Sequence, residues 1–347
     1  MILFLSKYPQ TPEEFRDGFY QRVENIDRFF VDDQRTYLSV SFFKNLKKKV
    51  RKDKNREEID CNLFLHFFMI FNLFRKSSLV YIQSIYNALY MIGFILLFKK
   101  YYVLDLHGVV PEELVMQQKE KHARVFSIIE KLLFIKMKVC IAVTNRMVHH
   151  YKSKYPKSKT KYIVYAILPS HLKPYQLNSE IDNTGKIEII YSGNAQVWQN
   201  VDLMLDTIKN NLSDKIHFTI LTGDPETFNA KIASLKIKKN QITVKSVKPE
   251  ELDQYYKKSN YGFVLRDDFL VNQVACPTKI IEYLNYGIIP IVLSEKIGDF
   301  SEYGYDYIFL NQLNDRLETR KSEKNIDVIF HLYKDNNFDF KNKIGIP

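Results

Sequence analysis

The run "LVYIQSIYNALYMIGFILLFKKYYVLDL", residues 79–106, constrains the fold more than any other stretch. Its first part, Leu79–Phe98, has the length of a transmembrane helix, roughly 20 residues, but Gln83, Ser84 and Asn87 interrupt it. It divides better into a strand "LVYIQS", a helix "IYNALYMIGFILLFKK" and a strand "YYVLDL". That is a βαβ unit whose apolar helix is buried on a parallel sheet, so no integral span is expected.

The same alternation recurs along both halves. In the first half the strands are "ILFLS", "TYLSVSF", "LVYIQS", "YYVLDL", "VCIAVT" and "KYIVYA". Helices are predicted near Glu13–Phe30, Glu58–Arg75, Asn87–Lys100, Glu112–Lys136 and Asn145–Tyr155. In the second half the strands are "IEIIYS", "HFTILT", "ITVKSV", "YGFVLR" and "IPIVLS". Helices there are predicted near Val201–Asn210, Glu226–Leu235, Pro249–Lys257 and Pro277–Tyr286, with a charged tail helical near Glu323–Tyr333. Short apolar strands between longer helices predict an α/β chain of two Rossmann-like, doubly wound domains facing a cleft. The expected boundaries are 1–167 for the first domain, 168–186 for a Pro- and polar-rich linker, 187–314 for the second domain, and 315–347 for a tail returning to the first.

Ligands of such sheets bind beyond the carboxyl ends of the strands, and the unusual polar residues collect there. In "CPTKIIEYLNYGIIPIV", Pro277 suits a first helical turn, and the following N–H groups at Thr278, Lys279 and Ile280 lack intrahelical acceptors. With the helix dipole and the Lys279 charge they form an anion cradle. Glu282, one turn on, would accept from ribose or sugar hydroxyls; the alternative is an ordinary Lys–Glu surface pair. Upstream, the strand of "YGFVLRDDFLVNQVA" ends in Arg266, Asp267 and Asp268, and Arg266 would be a second cation for a diphosphate. Asn272 is less clearly placed. In "IIYSGNAQVWQN" a strand ends at Ser192 and Gly193, where glycine permits close approach to a ligand, and the single tryptophan, Trp198, follows; a plain turn and a core anchor also fit. In "VLDLHGVVPEEL" a strand carries Asp105 and His107 at its end, then Gly108, and a helix opens with Pro111, Glu112 and Glu113. His107 is either structural or a hydrogen-bonding and proton-transfer group facing the cleft.

Several classes are excluded. There is no G-x-G-x-x-G, no P-loop and no G-x-S-x-G. No Asp-x-Asp or convincing histidine spacing occurs, and the adjacent His149 and His150 do not face one site on a helix, so no metal is expected. Cys61, Cys140 and Cys276 are too few and too scattered for a disulfide framework. They fit a reducing compartment. The opening residues lack a basic leader and cleavage site, so a cytoplasmic location is expected. The net charge is +11, and between Lys44 and Arg56 eight cations face one Asp. That run reads either as a solvated face or as a patch for anionic lipid. Nucleic acid finds no zinc, RNP or recognition-helix signal.

The four polar stretches, in this order, resemble bacterial GT-B glycosyltransferases, in particular family-four-like enzymes of surface-polysaccharide synthesis. "CPTKIIEYLNYGIIPIV" is similar to the family's P-x-K-x-x-E-Y-L-x-x-G-x-P-V-I segment, "VLRDDFLVNQVA" to the stretch before it, "YSGNAQVWQNVDLML" to the opening of the donor domain, and "DLHGVVPEEL" to an acceptor-domain segment. The resemblance implies a nucleotide-sugar donor, usually UDP-linked, and a saccharide or lipid-linked acceptor. It also implies transfer with retention and without bound metal or other cofactor. It places Gly193, Trp198, Pro277, Thr278, Lys279 and Glu282 at the donor, and Arg266, Lys279 and His107 at the reacting centre. Asp105, Gly108, Glu112 and Glu113 fall on the acceptor side. Three departures stand out: Val274 where many members carry a first glutamate, Gln199 where a lysine is frequent, and no glycine-rich loop in "LFLSKYPQTPEEF". A nucleotide-sugar epimerase of similar shape and a non-catalytic partner of another transferase are the alternatives. The run from Lys44 and "NLFLHFFMIFNLF" would touch an anionic membrane peripherally at its inner face.

Overall fold

A computed structural model describes residues 1–347 other than 12, 13, 16, 167, 170, 171, 173, 174, 176–184, 238–240, 249, 250 and 347. Most of the predicted linker, and the predicted helix starts at Glu13 and Pro249, lie outside the described residues. The chain divides into two compact units, Met1–Ile167 with Phe338–Pro347, and Leu168–Asn337. The predicted tail splits: the helix Glu323–Asp335 belongs to the second unit and only the residues from Phe338 on to the first.

The first unit is built on an eight-stranded sheet in the order β3-β4-β2-β1-β5-β6-β7-β8. The strands are β1 Ile2–Leu5, β2 Arg35–Ser41, β3 Lys49–Asp53, β4 Arg56–Asn62, β5 Leu79–Gln83, β6 Tyr101–Asp105, β7 Val139–Ala142 and β8 Lys161–Val164. All neighbours are parallel except β3 and β4. β1, β5 and β7 are buried at every residue, as continuous apolar runs covered on both faces must be. Phe4 of β1 stacks on Tyr37 with centroids 4.6 Å apart, and Phe30 and Phe340 close the same core.

The second unit carries a six-stranded, all-parallel sheet ordered β11-β10-β9-β12-β13-β14. Here β9 is Ile187–Ser192, β10 Ile216–Leu221, β11 Ile242–Lys245, β12 Tyr261–Val264, β13 Ile289–Val292 and β14 Ile308–Phe309. The central strands β9 and β12 lie side by side, which sets the ends of both against the helix Thr278–Asn285. Gly262 of β12 is a packing requirement: a Cβ there would stand 2.4 Å from the Tyr283 ring of that helix.

Three local expectations are corrected. Residues 58–62, predicted helical, form the end of β4, and the helix starts only at Phe67. The basic run is not a simple solvated face. Residues 49–53 pair antiparallel with β4, which brings Glu57, Glu58 and Asp60 opposite the cations. Arg51 bonds Glu58 and Asp60 at 3.1 and 2.7 Å, and Arg56 reaches Asp27, Asp53 and Glu58. Counting charge along the chain missed carboxylates supplied across the strands. The predicted helix Glu112–Lys136 is two helices, Val110–Met116 and Glu120–Lys136, broken where Gln118 takes φ 59°. Among the described residues no helix is long and apolar enough to cross a membrane.

Candidate active site

In the second unit, four segments meet at the carboxyl ends of β9 and β12. Pro277 does not open the helix from inside; it caps it, with φ −67° and ψ 130°. The Ile280 amide is not free either, since it donates to the Pro277 carbonyl at 3.2 Å. The Thr278 and Lys279 amides remain without an acceptor among the described residues. They sit at the positive end of the helix dipole.

Lys279 folds back over the end of β9. Its Nζ lies 3.9 Å from the Tyr191 ring centroid and donates to Gln199 Oε1 at 2.8 Å. Gly193 is required beneath it: φ is +150°, and a Cβ would come within 3.1 Å of that Nζ and 3.3 Å of the Tyr191 hydroxyl. Arg266, just past β12, donates from Nη1 to Asn272 Oδ1 at 3.1 Å, and Asn272 in turn donates to the Asp267 carbonyl at 2.9 Å. Neither cation makes an ion pair among the described residues. Burial and the nearby Arg266 charge hold the Lys279 ammonium well below its usual range, with Glu282 opposing. Burial lowers Arg266 to about 10, Tyr191 opposing. Two cations each made less stable by burial would both be favoured by a nearby negative charge.

Glu282 lies one turn into the helix. It accepts from the Tyr256 hydroxyl at 2.7 Å, and Tyr256 lies 2.7 Å from the Ser192 hydroxyl. Burial raises its carboxyl to about 7, with the Tyr256 bond and Lys279 opposing. The Ser192 amide donates to the Tyr283 hydroxyl at 2.9 Å. Asn200, with φ 49°, ties the loop after Trp198 to the Leu265 carbonyl and the Asp267 carboxylate, both at 3.1 Å. Gly193, Arg266, Lys279 and Glu282 are therefore brought together, with Pro277 and Thr278 at the helix start and Trp198 half-buried in the adjoining loop. Asn272, named in the sequence without a role, holds Arg266, while Tyr191, Tyr256 and Asn200 were not among the predicted residues. Nothing in local spacing signals the three, because Tyr191, Tyr256 and Asn200 each act through residues far along the chain, whereas Asn272 holds Arg266 only six positions away. The departure at Gln199 has a structural role: it supplies the acceptor that holds Lys279. Val274 is buried and apolar.

The first unit's candidates fare differently. Asp105 has no exposed surface. It takes Nε and Nη2 of the equally buried Arg22 at 2.8–3.1 Å and the Tyr81 hydroxyl at 2.9 Å. It locks the end of β6 rather than meeting a ligand. Glu112 meets Lys154 at 2.7 Å and His150 at 3.3 Å through Oε1, partners that hold its carboxyl down to about 2 against burial, while its Oε2 is buried without a partner among the described residues. Glu113 packs on Gly108, where a Cβ would fall 1.9 Å from its Oε1. Burial raises its carboxyl. His107 stays partly exposed, 3.9 Å from Asp105, with Nε2 at 2.7 Å from Gln83 Oε1. Its ring packs on Phe19, centroids 4.6 Å apart, and burial lowers it to about 4.

No protein-family model matches the chain, and no curated protein does. Solved structures match nearly end to end. WaaG, a glycosyltransferase involved in lipopolysaccharide biosynthesis, superposes with a TM-score of 0.62 at 10% identity over 97% of this chain and 95% of its own. Anabaena HepE, solved in complex with UDP, gives 0.61 at 11% identity over 97% and 90%. The trehalose-6-phosphate synthase of Burkholderia multivorans gives 0.60 at 11% identity over 97% and 95%. These are GT-B structures. The chain has the GT-B fold. At such low identity the likeness is one of fold, and the GT-B frame by itself assigns no substrate to the Arg266–Lys279 cluster.

Proposed function

We propose that the chain is a glycosyltransferase that moves one sugar from a nucleotide-sugar, with UDP as the carrier, to a saccharide or lipid-linked acceptor of a surface polysaccharide. One observation carries the reading: among the described residues Arg266 and Lys279 make no ion pair with a carboxylate, and they stand beside the Thr278 and Lys279 amides, which have no acceptor there. A diphosphate matches that arrangement in charge and in hydrogen-bond acceptors. The carboxyl of Glu282 and the Ser192–Tyr256 hydroxyls next to it suit ribose or sugar hydroxyls. Bound UDP in HepE, and UDP-glucose in a second HepE structure with a TM-score of 0.59, support the choice of carrier.

In the proposed reaction the bond between the anomeric carbon and the β-phosphate oxygen breaks, and the acceptor oxygen attaches on the same face, with retention. The acceptor's proton passes to the departing phosphate, whose charge Arg266 and Lys279 stabilise; no metal or cofactor takes part. Catalysis is then positioning and charge stabilisation. The acceptor is placed at the inner face of the cell membrane. A loop carrying exposed Lys44, Lys47 and Lys48, which make no ion pair among the described residues, beside Phe43, 87% exposed, and Leu46 supports peripheral contact with anionic lipid, with exposed Phe64, Leu65 and Phe68 near it. Phe42 bridges the two groups, its ring 5.5 Å from Phe64.

A thermal-shift panel of nucleotides and nucleotide-sugars tests the reading. Ligand at 100 times its Kd stabilises by about 2.7 kcal/mol. No shift with any nucleotide diphosphate or its sugar would refute the assignment, and conversion of the sugar nucleotide without acceptor would replace it by an epimerase. Sedimentation with vesicles that ignores anionic lipid content would remove the membrane contact alone.

A further inference from the structure

At the carboxyl end of β5, Gln83 has no exposed surface, yet its Oε1 lies 2.7 Å from His107 Nε2. The backbone beside it is held in an uncommon conformation. Ser84 takes φ 66° and ψ 151°, a region that residues with a Cβ rarely enter and keep only where surroundings fix them. Three bonds fix it. The Ser84 backbone amide donates to the Asp105 carbonyl at 2.9 Å, the Ser84 hydroxyl accepts from the Tyr86 backbone amide at 3.4 Å, and the Asn87 side-chain Nδ2 donates to the Gln83 carbonyl at 2.5 Å. This strained residue stands at the ligand-binding end of a parallel sheet. Gln83 Nε2 is buried with no partner among the described residues. An unmatched donor there points to a polar visitor, water or ligand.

The ring opposite carries one proton at neutral pH, since burial and the Arg22 charge disfavour the second and Asp105 only partly opposes them. The amide oxygen of Gln83 only accepts, so that proton sits on Nε2. Nδ1 then bears a lone pair, and no group among the described residues bonds it. We infer that Gln83 is a positioning residue: it fixes His107 as the Nε2–H tautomer, which leaves Nδ1 to accept from a hydroxyl of the sugar ligand. The ligand half of this statement rests on the sugar-transfer reading; the tautomer half does not.

The test uses the full, ligand-free chain with 15N-labelled histidine and two-bond 15N–1H correlation at neutral pH. His107 is assigned among the eight histidines by its loss in His107→Asn. The wild type is expected to show the Nε2–H tautomer alone, Gln83→Glu to keep it, and Gln83→Leu to show both. Gln83→Glu also places a carboxylate against the ring and is expected to raise the pH at which His107 charges. In turnover, Gln83→Leu is expected to lower kcat about 10- to 100-fold, with donor KM changed less than about twofold and partial recovery in Gln83→Glu. An Nδ1–H tautomer in the wild type, or an unchanged tautomer in Gln83→Leu, overturns the inference. If Gln83→Leu does not fold, the wild-type and Gln83→Glu spectra decide. Correct tautomers with no turnover of any nucleotide-sugar would sink the transferase reading and leave Gln83 as the residue that orients His107.

Discussion

Each unit sets cations against the end of a central strand, fully buried Arg22 in the first and half-buried Arg266 and Lys279 in the second, and the two solve the problem in opposite ways. In the first unit Arg22 is fully enclosed and meets Asp105 through three donor–acceptor contacts, with Tyr81 completing the carboxylate. In the second, Arg266 and Lys279 lie near each other, and their hydrogen bonds go to amide oxygens of Asn272 and Gln199, not to carboxylates. An enclosed pair satisfied within the chain is structural. A pair of cations held by neutral acceptors keeps unspent charge, and that is what a ligand anion can use.

The sharpest way to break the comparison is Arg22→Ala. It strands the Asp105 carboxylate at zero exposure, so a loss of about 3–5 kcal/mol is expected in denaturant unfolding. Lys279→Ala should do the reverse. The ligand-free protein keeps its stability within about 1 kcal/mol, while affinity for a UDP-sugar falls about 10- to 100-fold, the worth of roughly 1.5–3 kcal/mol for a hydrogen bond to a charged group. Equal losses of folding stability in both variants would erase the distinction. Gly193→Ala, at φ +150° and against Lys279 and Tyr191, is expected to cost about 1–2 kcal/mol and to weaken the same thermal response.

Glu282 sharpens the comparison through pH. Its carboxyl ordinarily titrates at 4.5 and is held up to about 7 here. Between those values the folded chain keeps a proton that the unfolded chain has released, so this residue makes stability fall as pH rises from 4.5 to 7. Glu282→Gln is expected to flatten that part of the slope in urea midpoints across the same interval. The smallest effect belongs to the hairpin: Lys52, mostly exposed and 3.5 Å from Glu57, should change stability by less than about 0.5 kcal/mol when replaced by alanine.

That these residues come together was legible because they follow strands or open a helix, positions that chain-local chemistry marks: Gly193 after β9, Arg266 after β12, Thr278 and Lys279 after Pro277. Asp105, Glu112 and Glu113 occupy the same kind of position, but packing turns them inward. Asp105 and Glu112 look alike in sequence to exposed carboxylates, and only packing shows each already committed to a cation. The stretch 58–62 was misread as helix because its charged residues gain strand character only from partners on both sides, β2 and β3.

By itself the sequence determined the α/β alternation, the two sheets and the polar residues at strand ends. These follow from the period of apolar residues and from the fixed chemistry of proline, glycine and helix ends. Tertiary structure alone decided which charges are spent. Arg22 meets a carboxylate 83 positions away, and Lys279 an amide oxygen 80 positions away. Whether a buried cation is satisfied or waiting depends on such distant partners, because the desolvation cost of a charge is set by everything packed around it and not by its neighbours in the chain.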